Sequence, residues 1–167
     1  FKQSDPGSFI FAHAIDYTPL ASFVDGMTEG EEWGVMPDYS ELTPDLFRAG
    51  FAMYHQFGIP FNFYAVKAIP FYGGYNGMTA QDVLPLTMLH NMYPVINGFS
   101  PEQVAFLISM WKITDEWYTS SEWIPYWKNP YAVPSVKSIK VNLYLKKDEQ
   151  KVMMVAANLD GKNVKIF

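Results

Sequence analysis

The stretch "TPDLFRAGFAMYHQFGIPFNFYAV" (Thr43–Val66) decides the fold class. Thr43 is a suitable helix cap, Pro44 suits the first helical position, and Gly58 stands just past the end. A helix is therefore predicted over Pro44–Phe57, with Phe47, Phe51 and Tyr54 on one face at i, i+4 and i+7. "IPFNFYAV" (Ile59–Val66) follows at once as an aromatic strand. A helix handed straight to a strand, behind a long acidic segment, is the rhythm of an α/β fold built from βα repeats.

Upstream, "SFIFAHAI" (Ser8–Ile15) is a nearly continuous apolar run and reads as a buried strand ending near His13. "LASFV" (Leu20–Val24) is a weaker strand candidate. The gap between the two is four residues, too short for a parallel crossover, so one of them is not a sheet strand or they are not parallel neighbours. Next comes "DGMTEGEEW" (Asp25–Trp33), with four carboxylates in eight residues and no base beside them. The segment Asp25–Leu42 reads as a loop of eighteen residues, longer than the roughly 2–6 usual in βα units, and such length is often functional. Three readings stand: a solvated loop, a ligand-facing loop, or a cation site.

If extended, the loop puts Glu29 and Glu31 on one side; if helical, Asp25/Glu29 and Glu29/Glu32 share faces. Either geometry brings two carboxylates close enough for one to keep its proton, as a general acid needs. The candidate catalytic residues are thus Asp25, Glu29, Glu31 and Glu32. An EF-hand register from Asp25 fails, because Met27 and Met36 stand where carboxylate ligands are required.

Downstream, "PFYGGYNG" (Pro70–Gly77) is an aromatic, glycine-rich loop. A helical pattern follows from about Thr79 to Met92, with Pro85 as a kink or a late start. "SPEQVAFLISMWKITDEW" is the clearest helix. Ser100 caps it, Pro101 opens it, Gln103 completes a capping box, and Val104, Leu107, Ile108 and Trp111 form its apolar stripe. Asp115 and Glu116 lie late in that helix and read as a solvated face.

"SIKVNLYL" (Ser138–Leu145) changes the period to two. It is predicted as a half-buried antiparallel strand, with Lys140, Asn142 and Tyr144 on the polar face. "KVMMVAANL" (Lys151–Leu159) returns as a more buried strand, and Asp160-Gly161 turns into a third. Residues 1–134 carry a charge balance of −9 and residues 135–167 one of +4. With the Pro-containing "NPYAVPS" at the change, this divides the chain into an α/β domain, 1–134, and an antiparallel β module, 135–167, that looks incomplete.

The 167 residues, net charge −5 and single arginine, Arg48, exclude a phosphate-binding surface of clustered bases, so nucleic acid is not the expected partner. No apolar run reaches membrane-spanning length. The chain has no cysteine, which removes disulfides, thiolate metal sites and cysteine nucleophiles. His13, His55 and His90 show no metal spacing, and no P-loop, dinucleotide fingerprint or nucleophile elbow occurs, so no metal or cofactor is expected. The opening at Phe1, without Met or a signal-like segment, fits an exported bacterial protein after signal removal, or a fragment. Aromatic residues at 17% fit a large core or stacking platforms for flat ligands. Tyr72, Tyr75 and Asn76 in the Gly-rich loop, with Trp33 and His13, are the candidate substrate contacts; "SEWIPYWKNPY" (Ser121–Tyr131) is a second aromatic stretch.

A strand ending in His, then "SFVDGMTEGEEW", then "PDLFRAGFAMYHQFGIP" resembles the last part of a (β/α)8 barrel of bacterial glycoside-hydrolase-like proteins related to glycoside hydrolase family 123. "WIPYWKNP" followed by "IKVNLYLKKDEQKVMMVAANLDGKNVKIF" is similar to the β-sandwich that follows such barrels. The resemblance implies a segment of a carbohydrate-active enzyme whose acidic loop forms a lip of a sugar-binding cleft. The alternative is a non-catalytic carbohydrate-binding or structural interaction protein. Family 123 is associated with an adjacent Asp-Glu pair at the end of a middle barrel strand and with the substrate's acetamido group as nucleophile. The one Asp-Glu here is Asp115-Glu116, within a helix, so no catalytic residue is carried over. The resemblance places the acid pair upstream. An eight-stranded barrel takes about 250 residues, so missing upstream chain or another subunit is the expected completing partner, and carbohydrate the expected ligand.

Overall fold

The computed structural model describes residues 5–13, 23–29, 43–50, 61–63, 79–96 and 98–159, with backbone alone for Glu29 and residues 61–63. The chain is mixed α/β with one parallel and one antiparallel sheet.

The parallel sheet holds β1 (Phe11–His13), β2 (Gly26–Glu29), β3 (Phe61–Phe63) and β4 (Tyr93–Pro94), in that spatial order, and among the described residues it does not close into a barrel. His13 pairs with Thr28, Thr28 with Asn62, and Asn62 with Tyr93. One reading is met here and one corrected. Twelve residues separate β1 from β2, enough for a parallel crossover, and Phe23 and Val24 of the "LASFV" run are not strand, in keeping with the reading that one of the two candidates is not a sheet strand. Moreover, the acidic segment does not begin as a loop, since Gly26–Glu29 is itself strand. Packing overrides a weak strand propensity: Met27 is fully buried in the main core, and β1 and β3 flank it.

Helix α1 (Pro44–Gly50) lies between β2 and β3, α2 (Ala80–Leu89) between β3 and β4, and α3 (Pro101–Ser120) after β4. Their caps follow the sequence. The Thr43 hydroxyl accepts the Leu46 N–H at 3.2 Å. In α3, Ser100 Oγ accepts the Gln103 N–H at 3.3 Å while Gln103 Oε1 accepts the Ser100 N–H at 3.1 Å. Helix α2 starts at Ala80, with the Asp82 carboxylate accepting the Thr79 N–H at 2.7 Å, and runs through Pro85. The main core gathers Met27 of β2, Phe47 of α1, Val83 and Leu86 of α2, and Leu107 of α3. Met27 shares this core with residues of the three described helices, while Tyr93, in register with Thr28 on the other side of the sheet, meets Trp111 and Tyr118 of α3. In α3 the buried positions are Leu107 and Thr114, whereas Ile108, expected in the apolar stripe, is 39% exposed.

The antiparallel sheet has the order β5 (Glu122–Ile124), β6 (Ile139–Lys146), β7 (Lys151–Asn158). It recruits β5 from before the expected division at residue 134, because Glu122–Ile124 pairs with Leu143–Leu145. A short 3-10 turn, Tyr126–Lys128, follows β5. Strand β6 is not half-buried. Ile139, Val141 and Leu143 pack against Ile124, Ala132 and Val136 on one face. Asn142 and Tyr144, expected on a polar outer face, are fully buried against the helical layer on the other. Strand β7, expected to be the more buried, is the more exposed, with Val152 at 58% and Met154 at 61%. Among the described residues it has a neighbour on one side only.

The polar side chains of β6 complete α2. Helix ends leave their last carbonyls without intrahelical partners. Asn142 Nδ2 donates to Leu89 O at 2.7 Å and Met88 O at 3.3 Å, and the Tyr144 hydroxyl donates to Met88 O at 3.1 Å. The Asn142 carbonyl accepts the Tyr126 N–H at 2.7 Å, so one amide joins helix, strand and turn.

Candidate functional site

In parallel α/β sheets ligands gather at the carboxyl ends of the strands. Here that edge carries His13 on β1, Thr28 and Glu29 on β2, and Phe63 on β3. Side chains alternate along a strand, so Phe11 and His13 share the face opposite Ala12, and Gly26 and Thr28 the face opposite Met27. Glycine at 26 is explained by a close approach: a Cβ there would lie 2.7 Å from Phe11 Cδ2, since the Phe11 ring crosses over it. Phe11 remains 42% exposed and stacks on Phe9 with centroids 5.9 Å apart. His13 is exposed beside this aromatic pair. The face that Phe11 and Thr28 share thus presents, among the described residues of β1 and β2, an imidazole, a hydroxyl and two phenyl rings.

Asp25 sits elsewhere. Its Oδ2 accepts the Ile10 N–H at 2.8 Å, and its own N–H donates to Ile10 O at 2.8 Å. This mutual clamp fixes where β1 and β2 begin to pair. It holds the carboxylate three residues, about 10 Å, from the Thr28 level where His13 sits. Asp25 and Glu29 therefore do not share one loop: they lie at opposite ends of β2. Glu31, Glu32, Trp33, Tyr72, Tyr75 and Asn76 lie outside the described residues. Among the described residues no three His, Cys, Asp or Glu side chains assemble as a metal site requires, and no helix is long and apolar enough to cross a membrane.

A second concavity flanks β4. Tyr93, Pro94, Val95 and Ile96 form one wall and Ile108, Trp111, Lys112 and Asp115 of α3 the other, around about 620 Å³. The Tyr93 hydroxyl donates to Asp115 Oδ1 at 2.8 Å, and its ring meets Trp111 edge-on at 5.7 Å. Burial first, and then the Asp115 carboxylate, raise the Tyr93 phenol well above its ordinary range. The tyrosine is held as a hydrogen-bond donor to Asp115. Asp115 and Glu116, read as a solvated face, thus have defined tasks, for Glu116 pairs with Lys146 of β6. Sequence reading missed Tyr93–Asp115 because the partners are 22 residues apart and β4 is only two residues long.

His90 closes α2 in a third environment. It is buried between Phe47, with centroids 4.8 Å apart, and the stacked ring of Trp127 at 5.8 Å. Its Nδ1 lies 2.7 Å from Leu86 O and donates to it. Burial is the largest influence and lowers its pKa to about 4, against a smaller upward pull from the Leu86 carbonyl. This is a structural histidine at the C-cap of α2.

Comparison with protein-family models, curated proteins and solved structures finds no match to this chain.

Proposed function

We propose that the chain is a segment of a carbohydrate-active, glycoside-hydrolase-like protein, and that its parallel sheet is the closing arc of a (β/α)8-type barrel. The observation that carries this reading is the strand order. Four parallel strands neighbour each other in chain order, and a helix follows each of β2, β3 and β4 in the sequence. In a barrel one face of every strand is turned to the interior. Phe11, His13 and Thr28 would then line that interior near the active end, with Glu29 at the β2 terminus contributing to the lip of a sugar cleft.

A non-catalytic carbohydrate-binding partner is the second reading, and one observation favours it: Asp25, the one acidic candidate whose side chain is described, is turned to the Ile10 backbone. The test is a glycan microarray probed with the intact chain and with His13→Ala. Retention of saccharides that His13→Ala selectively weakens carries the reading, and the absence of any saccharide signal, or a pattern of retention that His13→Ala leaves unchanged, overturns it. Aryl-glycoside turnover separates the two versions, since only the catalytic one hydrolyses the probe.

A further inference from the structure

We infer that the recess between β4 and α3 is a second, separate binding site for a short neutral saccharide. It is independent of the strand-end site, because β4 lies at the opposite edge of the sheet from β1, which bears His13. Its volume of about 620 Å³ falls in the range of small-molecule sites, about 300–1,000 Å³, and its make-up, mainly apolar walls with a few polar groups, is what such sites share. Ile96 and Ile108 are partly exposed there although they are aliphatic, and Trp111 is only half-buried. They supply an apolar floor and a π-face.

The polar groups select the ligand. Asp115 is exposed on α3, with one carboxylate oxygen accepting from Tyr93, and the bond fixes the side chain's rotamer. Lys112, one helical turn earlier, is also exposed and lines the same recess. A cation entering the recess would meet Lys112 as a like charge, and an anion would meet Asp115. A neutral ring bearing hydroxyls meets neither penalty: it donates to the carboxylate, accepts from the ammonium, and lays its C–H face on Trp111. Flat apolar molecules would leave both charged groups without new partners and gain only the floor.

The experiment is saturation-transfer NMR and calorimetry on the intact chain, with methyl β-glucoside and cellobiose as probes at about 10 mM, the regime of weak binding. Asp115→Asn preserves an acceptor for Tyr93 and removes the charge; Trp111→Phe preserves an aromatic ring. Each variant is expected to weaken saccharide binding about tenfold, as loss of a charge-assisted hydrogen bond or of a stacking face does, while His13→Ala leaves this site unchanged. Circular dichroism confirms that the variants fold. Binding of neither probe, or binding that survives Asp115→Asn and Trp111→Phe, overturns the proposal. Binding lost in His13→Ala but kept in Asp115→Asn also overturns it, while leaving the strand-end reading intact.

Discussion

Asn142 donates its side-chain amide to the main-chain carbonyl of Leu89 at 2.7 Å, across 53 residues of sequence, and so ties the middle of β6 to the last turn of α2. Replacing it by Leu keeps much of the volume but strands the buried Leu89 carbonyl and the part-buried Tyr126 N–H. Each unsatisfied group costs about 1–3 kcal/mol, so Asn142→Leu, which strands two, is expected to lose about 2–6 kcal/mol. Urea unfolding followed by circular dichroism measures this, and an unchanged midpoint would show that water replaces the amide.

His90 gives the fold an acid limit. Its imidazole is neutral in the native state and protonates only near pH 4, whereas in the unfolded chain it takes a proton near its ordinary 6.5. Above pH 6.5 the neutral ring adds no pH dependence. As the pH falls from 6.5 towards 4, the unfolded state binds the proton first and stability drops, by about 3 kcal/mol in all. His90→Phe, which keeps the ring between Phe47 and Trp127, should flatten that part of the stability–pH profile. A profile that keeps its slope in the variant would assign the loss to another group.

Gly26 should tolerate a methyl group poorly. A Cβ there meets the Phe11 ring, which must swing outward from the sheet. Overpacking of this kind costs about 1–3 kcal/mol, and the lower end is expected because Phe11 is partly exposed. The double mutant Gly26→Ala, Phe11→Leu should recover most of the loss, and a double-mutant cycle reads the coupling directly. Additive effects would mean that the ring does not cross Gly26 in solution.

Lys146 and Glu116 should respond asymmetrically to substitution. The Lys146 side chain is 6% exposed and lies 4.9 Å over the Trp117 ring, while that of Glu116 is 74% exposed. Glu116→Gln leaves a buried ammonium with Glu149, at 3.7 Å, as its remaining ion-pair partner. Lys146→Met leaves an exposed carboxylate that water solvates freely. The glutamine variant should lose about 1–2 kcal/mol and the methionine variant less. Thermal melts of the two variants rank them, and the reverse order would refute the account.

The elements whose signals are local were legible. Thr43, Ser100 and Gln103 mark their helix starts because capping is settled within four residues, and the β6–β7 hairpin shows because its alternation is long. What the sequence hid depends on distant partners. Met27 makes a strand of an acidic segment because three helices cover it. Asn142 and Tyr144 look like an outer face because a period of two separates polar from apolar but does not say that the polar side meets helix carbonyls. The site was legible in part: the position of His13 at a strand end was readable, whereas the Tyr93–Asp115 pair needed the fold to bring two short signals together.

The seam between α2 and β6 also governs how the molecule comes apart. The carbonyls of Met88 and Leu89 find their partners only once β6 has docked. Fraying of that last helical turn therefore cannot be separated from departure of the hairpin. Proteins usually open in independent pieces of graded free energy. Here the slowest-exchanging amides of α2 and of β6 should belong to one cooperative block, although more than fifty residues lie between them, and a chain emerging from the ribosome would leave α2 unfinished until its last strands had been made.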